Sequence, residues 1–197
     1  MSGSGRTRRA LAALGVAVAV VLTGCGADRP QETQPDDRIS ERTLAMTLAE
    51  APDLSVLSGA LGDAGLLPML DGIASYTVLA PRDPAFVALG PLGEELVAPS
   101  QRPAMAIVLR DHILPGFVTR VDIVSAIETA GGPVTMRSMG NHAITFTREG
   151  SSIFASAPDG SRARLVGKTL RASNGAAIRL DGLLKAISDP AGDPVPD

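Results

Sequence analysis

The chain has 197 residues, of which 18 are basic and 21 acidic, so its formal net charge is −3. It contains no tryptophan, one tyrosine and four phenylalanines. Because phosphate backbones attract basic surfaces and bases stack on aromatic side chains, we do not expect nucleic-acid binding. The single cysteine excludes an intramolecular disulfide and a cysteine-based metal cluster. Stability must therefore come from a buried core, for which the chain is long enough to form one domain.

The N-terminus has the pattern of a secretory signal peptide. Three arginines, Arg6, Arg8 and Arg9, precede an apolar run from Ala10 to Leu22. As a helix this run would be about 20 Å long at ~1.5 Å per residue. That length is too short for a bilayer core of about 30 Å. A basic segment followed by a short apolar segment predicts a signal peptide over residues 1–24.

The end of this segment resembles the bacterial lipobox, in which a cysteine is diacylated and becomes the new N-terminus. The matching residues are Leu22, Thr23, Gly24 and Cys25. We therefore expect a diacylglyceryl anchor on Cys25 that holds the protein to a membrane of the bacterial cell envelope, facing the periplasm or the exterior. The alternative is an ordinary signal peptide followed by a chance cysteine. The Arg8-Arg9 pair also leaves twin-arginine export open.

Two terminal segments have compositions that do not favour folding. Residues 25–39 are polar and charged with two prolines, so they predict a flexible tether between the lipid and the domain. Residues 189–197 are rich in proline and aspartate and predict a disordered tail. Loss of the signal peptide removes three basic and no acidic residues, which leaves 15 basic against 21 acidic ones and a net charge of −6.

The domain, predicted over residues 40–188, begins with helical patterns. Leu44 and Leu48 lie four residues apart, as on one helix face. Asp53 is a candidate N-cap for a second helix, and Gly65 a candidate stop. Between them, apolar residues recur at helical spacing: Leu54, Leu57, Leu61 and Ala64.

The middle of the chain alternates a strand with further helices. A short β-branched segment over residues 76–80, ended by Pro81, predicts a strand. Asp83 followed by proline predicts the N-cap of a short helix. Residues 103–113 form the next predicted helix, and Thr119 is the candidate cap of another. Helices are thus expected in the first two thirds of the domain.

The last third changes to short segments separated by turn residues. This pattern is typical of antiparallel strands. Helices early and strands late predict a single α+β domain. The segments are VTMRS, HAITFT, SIFAS, RLVG, TLRA and AAIRL, all within residues 134–180.

Three segments, in this order along the chain, resemble the signatures of the fasciclin-like family. The first is TVLAPRDPAF from Thr77 to Phe86, and the second is DHILPG from Asp111 to Gly116. In the third, an Asn-Gly pair precedes alternating apolar residues (Ile178, Leu180, Leu183) and an aspartate. The positions that match the family signatures are Ala80, Pro81, Phe86, His112, Pro115, Gly116, Asn174, Gly175 and Asp181.

The resemblance implies a wedge-shaped β-sandwich decorated with α-helices. It also implies an extracellular, non-catalytic role in adhesion or matrix contact, in a family whose bacterial members are often secreted or lipid-anchored. This chain departs from the family at Asp111, where a tyrosine is frequent, and at Ile178, where the closing strand often carries a second histidine. Since it also lacks Arg-Gly-Asp, integrin binding is not expected of it.

The two histidines are the remaining candidates for catalytic residues, because the zincin, P-loop, nucleophile-elbow and dinucleotide motifs are absent. In a helix, His112 shares a face with Met105, Val108 and Leu109, so we expect a buried imidazole that hydrogen-bonds a nearby backbone or hydroxyl group, with Asp111 pointing away. His142 is either an inward polar residue at a sheet end or exposed beside a turn. We therefore predict no enzyme, with no catalytic residues, metal or cofactor.

The sequence leaves two functions open. The favoured one is a surface lipoprotein that acts in adhesion or contacts an unknown protein or glycan partner at the cell envelope. The alternative is a carrier of a hydrophobic small molecule such as a carotenoid or lipid, because Met105, Met136 and Met139 could line an adaptable groove. Core filling is the competing interpretation of these methionines.

Overall fold

The computed structural model describes residues 41–185, so the predicted signal peptide, lipobox, Cys25, tether and C-terminal tail lie outside the described residues. None of the helices within 41–185 has the length and apolar character needed to cross a membrane. The helices are α1 Leu44–Ala49, α2 Ser55–Asp63, α3 Leu67–Leu70, α4 Asp83–Val87, α5 Pro91–Leu96, α6 Arg102–Asp111 and α7 Arg120–Ala130. The strands are β1 Tyr76–Pro81, β2 Ile113–Pro115, β3 Val134–Arg137, β4 Ala143–Glu149, β5 Ser152–Ser156, β6 Arg162–Arg164, β7 Leu170–Ala172 and β8 Gly175–Leu180.

The first sheet has the strand order β2-β1-β8-β7. Its central pair, β1 and β8, is parallel and in register from Tyr76↔Gly175 to Pro81↔Leu180, whereas both flanking pairs are antiparallel. Parallel strands must be joined by a long crossover, and here the crossover contains four helices and the whole second sheet. β1 is buried along nearly its whole length, as expected of a strand covered on both faces.

The second sheet is an antiparallel meander in the order β3-β4-β5-β6. Along β4, Ile144 and Phe146 are fully buried while the residues between and after them are partly or fully exposed. This alternation shows that one face of the sheet is buried and the other is solvated. The predicted α+β class with mainly antiparallel strands is confirmed, and the strands form two sheets.

The core has two parts, one on each face of the first sheet. Val78 and Ala80 of β1 belong to a cluster with the leucines of α1, α2 and α3, here called the helical cluster. Leu79 belongs to a second cluster with β4 and β5, here called the cluster between the sheets. β8 divides in the same way, with Ala177 on the helical side and Ile178 on the other. Because side chains alternate along a strand, β1 and β8 join a helical layer to the second sheet.

Two predicted helix caps are wrong. Asp53 does not cap α2, because its carboxylate pairs with Arg179 at 2.9 Å. Asp83 takes that role from a distance in sequence, since its oxygens accept from the backbone N–H groups of Ser55 (3.2 Å) and Val56 (2.9 Å). Asp83 is itself the first residue of α4, and the N-cap residue of that helix is Arg82.

Other boundaries agree with the sequence more closely. Thr119 forms a reciprocal capping box with Asp122 at the start of α7, as its position predicted. Gly65 has a φ of 69° and follows α2 in the left-handed conformation that favours glycine. The helix predicted over residues 103–113 ends at Asp111 instead, because Ile113 leaves it to pair with Val78 in the sheet.

Candidate functional site

The junction between α6 and β2 carries the second signature and its histidine. His112 is the C-cap residue of α6, and Ile113 already belongs to β2. The backbone therefore changes from helix to strand at His112. His112 is 1 % exposed, and Met105, Val108 and Leu109 on the same helix face are also buried, as the helical spacing predicted.

Both ring nitrogens of His112 are bonded to the backbone. The Leu184 N–H donates to Nε2 at 3.0 Å, so Nε2 is the unprotonated nitrogen. Nδ1 then carries the proton and donates to the Val108 carbonyl at 2.9 Å. Burial lowers the pKa of His112, and this effect outweighs the Val108 hydrogen bond and the Asp111 charge, which both raise it. The structure thus holds a neutral imidazole with no nitrogen left for a substrate or a metal.

The imidazole joins two distant parts of the chain. Val108 lies within α6, and Leu184 follows β8, 72 residues after His112. Met105, Val108 and Leu109 belong to the helical cluster, whereas Leu184 belongs to the cluster between the sheets. The geometry supports a structural role, in which His112 fixes the end of α6 against the C-terminal segment.

Asp111 does not point away into solvent, so that prediction is wrong. Its side chain is 8 % exposed, and Oδ1 accepts from His142 Nδ1 at 2.7 Å and Ser138 Oγ at 3.2 Å. The loop between β3 and β4 brings both donors to the carboxylate, with Gly140 at close approach, where an added Cβ would overlap Oδ1. Sequence reasoning missed this because the three residues come from two elements more than 25 residues apart.

Serine, histidine and aspartate meet here, but not in the order that nucleophilic catalysis needs. In a catalytic triad the histidine lies between the carboxylate and the serine, so that it can accept the serine proton. Here the carboxylate of Asp111 lies in the middle, and Ser138 Oγ donates to it while accepting from the His142 backbone N–H at 3.2 Å. The Ser138 hydroxyl therefore donates its proton to the Asp111 carboxylate and not to the His142 imidazole.

A cavity of about 230 Å³ adjoins this cluster. Within the described part of the chain, its polar lining consists of Asp111, His142, Asp159 and Lys185, and its apolar lining of Ala157, Pro158 and Leu184. Lys185 lies 3.7 Å from Asp159, beyond normal hydrogen-bond length. No group of three or more histidine, cysteine, aspartate or glutamate residues within 41–185 could hold a metal ion.

Asn174 and Gly175, which belong to the closing signature, contact backbone groups of other segments. Asn174 Oδ1 accepts from the Leu44 N–H at 2.7 Å, at the start of α1, while its Nδ2 donates to the carbonyls of Leu70 (2.9 Å) and Gly72 (2.6 Å). At Gly175 an added Cβ would overlap the Tyr76 carbonyl across the β1–β8 pair. These contacts explain the residue types by packing and hydrogen bonding.

The remaining signature positions also lie within the framework. Asp181 accepts from Arg164 at 2.7 Å (backbone N–H) and 3.1 Å (Nε). Phe86 is buried in the helical cluster, and Gly116, with a φ of 96°, accepts from Thr77 Oγ1 at 2.8 Å. The signature residues Ala80 and Pro81 end β1, and Pro115 pairs with Tyr76 at the end of β2.

A second cavity of about 230 Å³ lies among α2, α5 and α6. Its apolar lining includes Val56, Ala60, Leu96 and Val97, together with Met105. The three methionines do not form one groove, however. Met136 packs against the cluster between the sheets, and Met139 is partly exposed in the β3–β4 loop.

Comparison with known proteins agrees with the signatures. A family model described as the fasciclin domain matches residues 52–186. A curated relative, Protein sll1483 of Synechocystis sp. (strain ATCC 27184 / PCC 6803 / Kazusa), is 26 % identical over 147 residues, covering 74 % of each chain. The fold is similar to a solved FAS1 domain pair from the insect cell adhesion molecule Fasciclin I, with a TM-score of 0.65, 15 % identity and 75 % of this chain covered. This chain spans about half (52 %) of that structure's chain.

Proposed function

The chain belongs to the fasciclin family, and on that premise we propose that it is a non-catalytic adhesion-type module held on the bacterial cell envelope by lipid on Cys25. It would act through surface complementarity with a protein or glycan partner rather than by making or breaking bonds. The membrane contact would be the diacylglyceryl group itself, and the folded domain would face the periplasm or the exterior.

The observation that carries the non-catalytic part is the state of His112. This imidazole is buried and neutral, and both of its nitrogens are bonded to backbone groups. A general base needs a nitrogen that reaches the proton it removes. The second histidine, His142, donates from Nδ1 to Asp111 Oδ1, and the Ser138 hydroxyl donates to the same oxygen instead of to an imidazole nitrogen. The cluster therefore supports a structural or binding role.

The lipid anchor is supported by the N-terminal sequence alone. The apolar run ends in Leu-Thr-Gly-Cys, with Cys25 as the chain's one cysteine. A single acyl chain binds membranes marginally, whereas two chains anchor stably. Diacylated Cys25 followed by a polar segment of about fourteen residues would hold the domain near the membrane without burying it.

The anchor is tested by membrane fractionation of a bacterial host that expresses the full chain. We expect the wild-type protein in the membrane fraction and Cys25→Ser released from it, since the serine lacks the thiol that carries the lipid. Gly24→Ala is the matched control, because it alters the adjacent position but keeps a small residue and the cysteine. Membrane retention of Cys25→Ser after cleavage of the signal peptide would contradict the proposal.

The adhesion role is tested with the Cys25→Ser protein as a soluble probe. We expect saturable binding to envelope preparations or extracellular matrix, which a heat-denatured sample does not show. Cross-linking the bound probe and identifying the captured molecule would define the partner. Absence of saturable binding to envelope and matrix alike would remove the support for an adhesion role.

Carriage of a small apolar ligand is a second candidate because of the cavity among α2, α5 and α6. Its volume of about 230 Å³ lies below the ~300–1,000 Å³ of typical ligand pockets. A long carotenoid would therefore not be enclosed, although a short aliphatic or monocyclic molecule fits. Colour and extractable lipid of the purified protein test this candidate, and colourless, lipid-free protein that still adheres would exclude it.

A further inference from the structure

From the cavity among α2, α5 and α6 we propose a binding site for a short aliphatic alcohol, with the carbon chain inside the cavity and the hydroxyl group at the Asp63–Arg102 ion pair. This site rests on the second candidate function given above, carriage of a small apolar ligand, and adds the class of ligand that the cavity takes. Neither the lipid anchor nor an adhesion role is needed for it.

The walls of the cavity are largely apolar and come from three helices. The large apolar residues and the alanine at its base are Val56 and Ala60 of α2, Leu96 of α5 and Met105 of α6. Met105 is 4 % exposed, and a flexible thioether side chain adapts to the shape of an apolar neighbour. Gly59 leaves further space, because an added Cβ at this position meets no atom within 4 Å. An aliphatic chain is therefore the group that these walls accept.

The volume of the cavity limits the length of this chain. Its value of about 230 Å³ corresponds to about eight water molecules at ~30 Å³ each. Because a methylene group and a hydroxyl group are each close to a water molecule in size, a ligand of about seven non-hydrogen atoms fits the cavity. The ligand 1-hexanol has this size.

One ion pair lies where the cavity meets the solvent. Asp63 and Arg102 are the charged residues of the lining within 41–185, and each side chain is about half exposed. Arg102 Nη2 donates to Asp63 Oδ1 at 3.2 Å, which joins α2 to α6. Among the described residues, Asp63 Oδ2 and Arg102 Nη1 and Nε have no hydrogen-bond partner. The pair therefore offers a ligand one free acceptor and further donors side by side.

This pair selects a neutral head group that both donates and accepts. A carboxylate would be attracted by Arg102 but repelled by the adjacent Asp63, and an ammonium group would be repelled by Arg102. Either ion must separate the exposed pair to bind well, which costs up to about fivefold in affinity. A hydroxyl group donates to Asp63 Oδ2 and accepts from Arg102 while the pair stays intact. An alcohol thus matches both the walls and the ion pair.

The test is an NMR titration of the mature chain from residue 25 carrying Cys25→Ser, with 1-hexanol as the probe. Sodium hexanoate and hexylammonium chloride are the controls with the same chain and a charged head group, at matched ionic strength. We expect saturable shifts of the Ala60 and Met105 amides, and 1-hexanol bound about three- to fivefold more tightly than either ion. Equal or tighter binding of either ion would overturn the alcohol site but keep the apolar cavity. Absence of binding by all three compounds would overturn both.

Two variants at the ion pair test the place of the head group. Asp63→Asn leaves the Arg102 charge unopposed and should change the preference to hexanoate. Arg102→Gln leaves the Asp63 charge unopposed and should change the preference to hexylammonium, each by about threefold or more relative to 1-hexanol. An unchanged preference for 1-hexanol in either variant would contradict the proposed contact with the pair.

Gly59→Leu tests the place of the carbon chain. The new side chain would occupy the cavity, so binding of 1-hexanol should weaken by at least about tenfold. Gly62→Leu is the matched control, because Gly62 lies in the same helix but not in the lining, and an added Cβ there meets only the end of the Leu67 side chain. Equal affinities of the two variants for 1-hexanol would contradict the site.

Discussion

The two histidines of this domain differ in almost every respect that decides what an imidazole can do. His112 is 1 % exposed, and backbone groups occupy both of its nitrogens. The His142 side chain is 54 % exposed, bonds a carboxylate and lines a cavity. His112 lies in a family signature, yet its hydrogen bonds to the backbone leave neither ring nitrogen available to a ligand. His142 lies outside the signatures, yet it bonds Asp111, a residue of the second signature.

The comparison shows that the role of a motif histidine follows from its hydrogen-bond partners and not from its neighbours in sequence. Asp111 is adjacent to His112, but its carboxylate bonds the distant His142. The signature thus contains two consecutive residues with different roles. One ties α6 to the C-terminal segment, and the other faces a cavity.

The largest effect is expected from His112→Ala. The substitution removes a fully buried ring and leaves the Leu184 N–H without its acceptor. Loss of both hydrogen bonds together with the resulting cavity should cost about 3 kcal/mol of unfolding free energy. Urea denaturation measures this loss. A change below about 1 kcal/mol would mean that His112 does not tie the two segments.

A smaller loss is expected from Gly140→Ala. The new Cβ would overlap Asp111 Oδ1, so the loop or the carboxylate must move, at a cost of about 2 kcal/mol. Gly132→Ala is the matched control, because open space surrounds its Cβ position. Thermal unfolding of the two variants side by side makes the measurement. Equal stabilities would show that the β3–β4 loop is not fixed against Asp111.

The pH dependence of stability separates the histidines further. Because the pKa of His112 is lowered in the folded state, the unfolded chain binds the proton first as the pH falls. The contribution of His112 to the unfolding free energy is therefore fully present above the unfolded pKa of about 6.5. Below that pH the unfolding free energy falls, by up to about 1.4 kcal/mol per pH unit. Asp111 is the charged neighbour that partly opposes this shift.

This slope is measured by urea unfolding between about pH 5.5 and 7.5, in a His142→Gln background that removes the other histidine. Adding His112→Gln should abolish the slope, because glutamine does not titrate. A slope that persists in the double variant would assign the pH dependence to other groups.

The smallest effect is expected from His142→Ala. Its half-exposed ring contributes one hydrogen bond to Asp111, so the loss should be about 0.5–1 kcal/mol. Differential scanning calorimetry against His112→Ala makes the comparison direct. A loss as large as that of His112→Ala would show that both histidines are structural.

The sequence predicted the elements that depend on local signals. The helix that carries Leu44 and Leu48, the helix capped by Thr119 and the strand from Tyr76 have their periodicity and turn residues nearby in sequence. The same holds for most of the short late strands, but the segment RLVG was predicted too far along the chain, since β6 is Arg162–Arg164. The burial of His112 also followed from spacing alone, since Met105, Val108 and Leu109 define the buried face of α6.

Contacts between distant segments could not be predicted in this way. Asp53 and Asp83 are both plausible caps by local sequence, but Arg179, 126 residues away, binds Asp53 and leaves Asp83 to cap α2. Similarly, nothing near Asp111 indicates that the β3–β4 loop would bury it. In both cases a tertiary ion pair or hydrogen bond overrides a local preference.

The structural assignment of His112 is tested most directly by long-range ¹⁵N–¹H NMR of its imidazole nitrogens at about pH 7. The bonding pattern predicts a neutral ring with the proton on Nδ1, and resonances that stay unchanged well below pH 6.5. Those of His142 serve as the solvent-exposed comparison. A His112 ring protonated on Nε2, or one that is charged at neutral pH, would contradict the assignment.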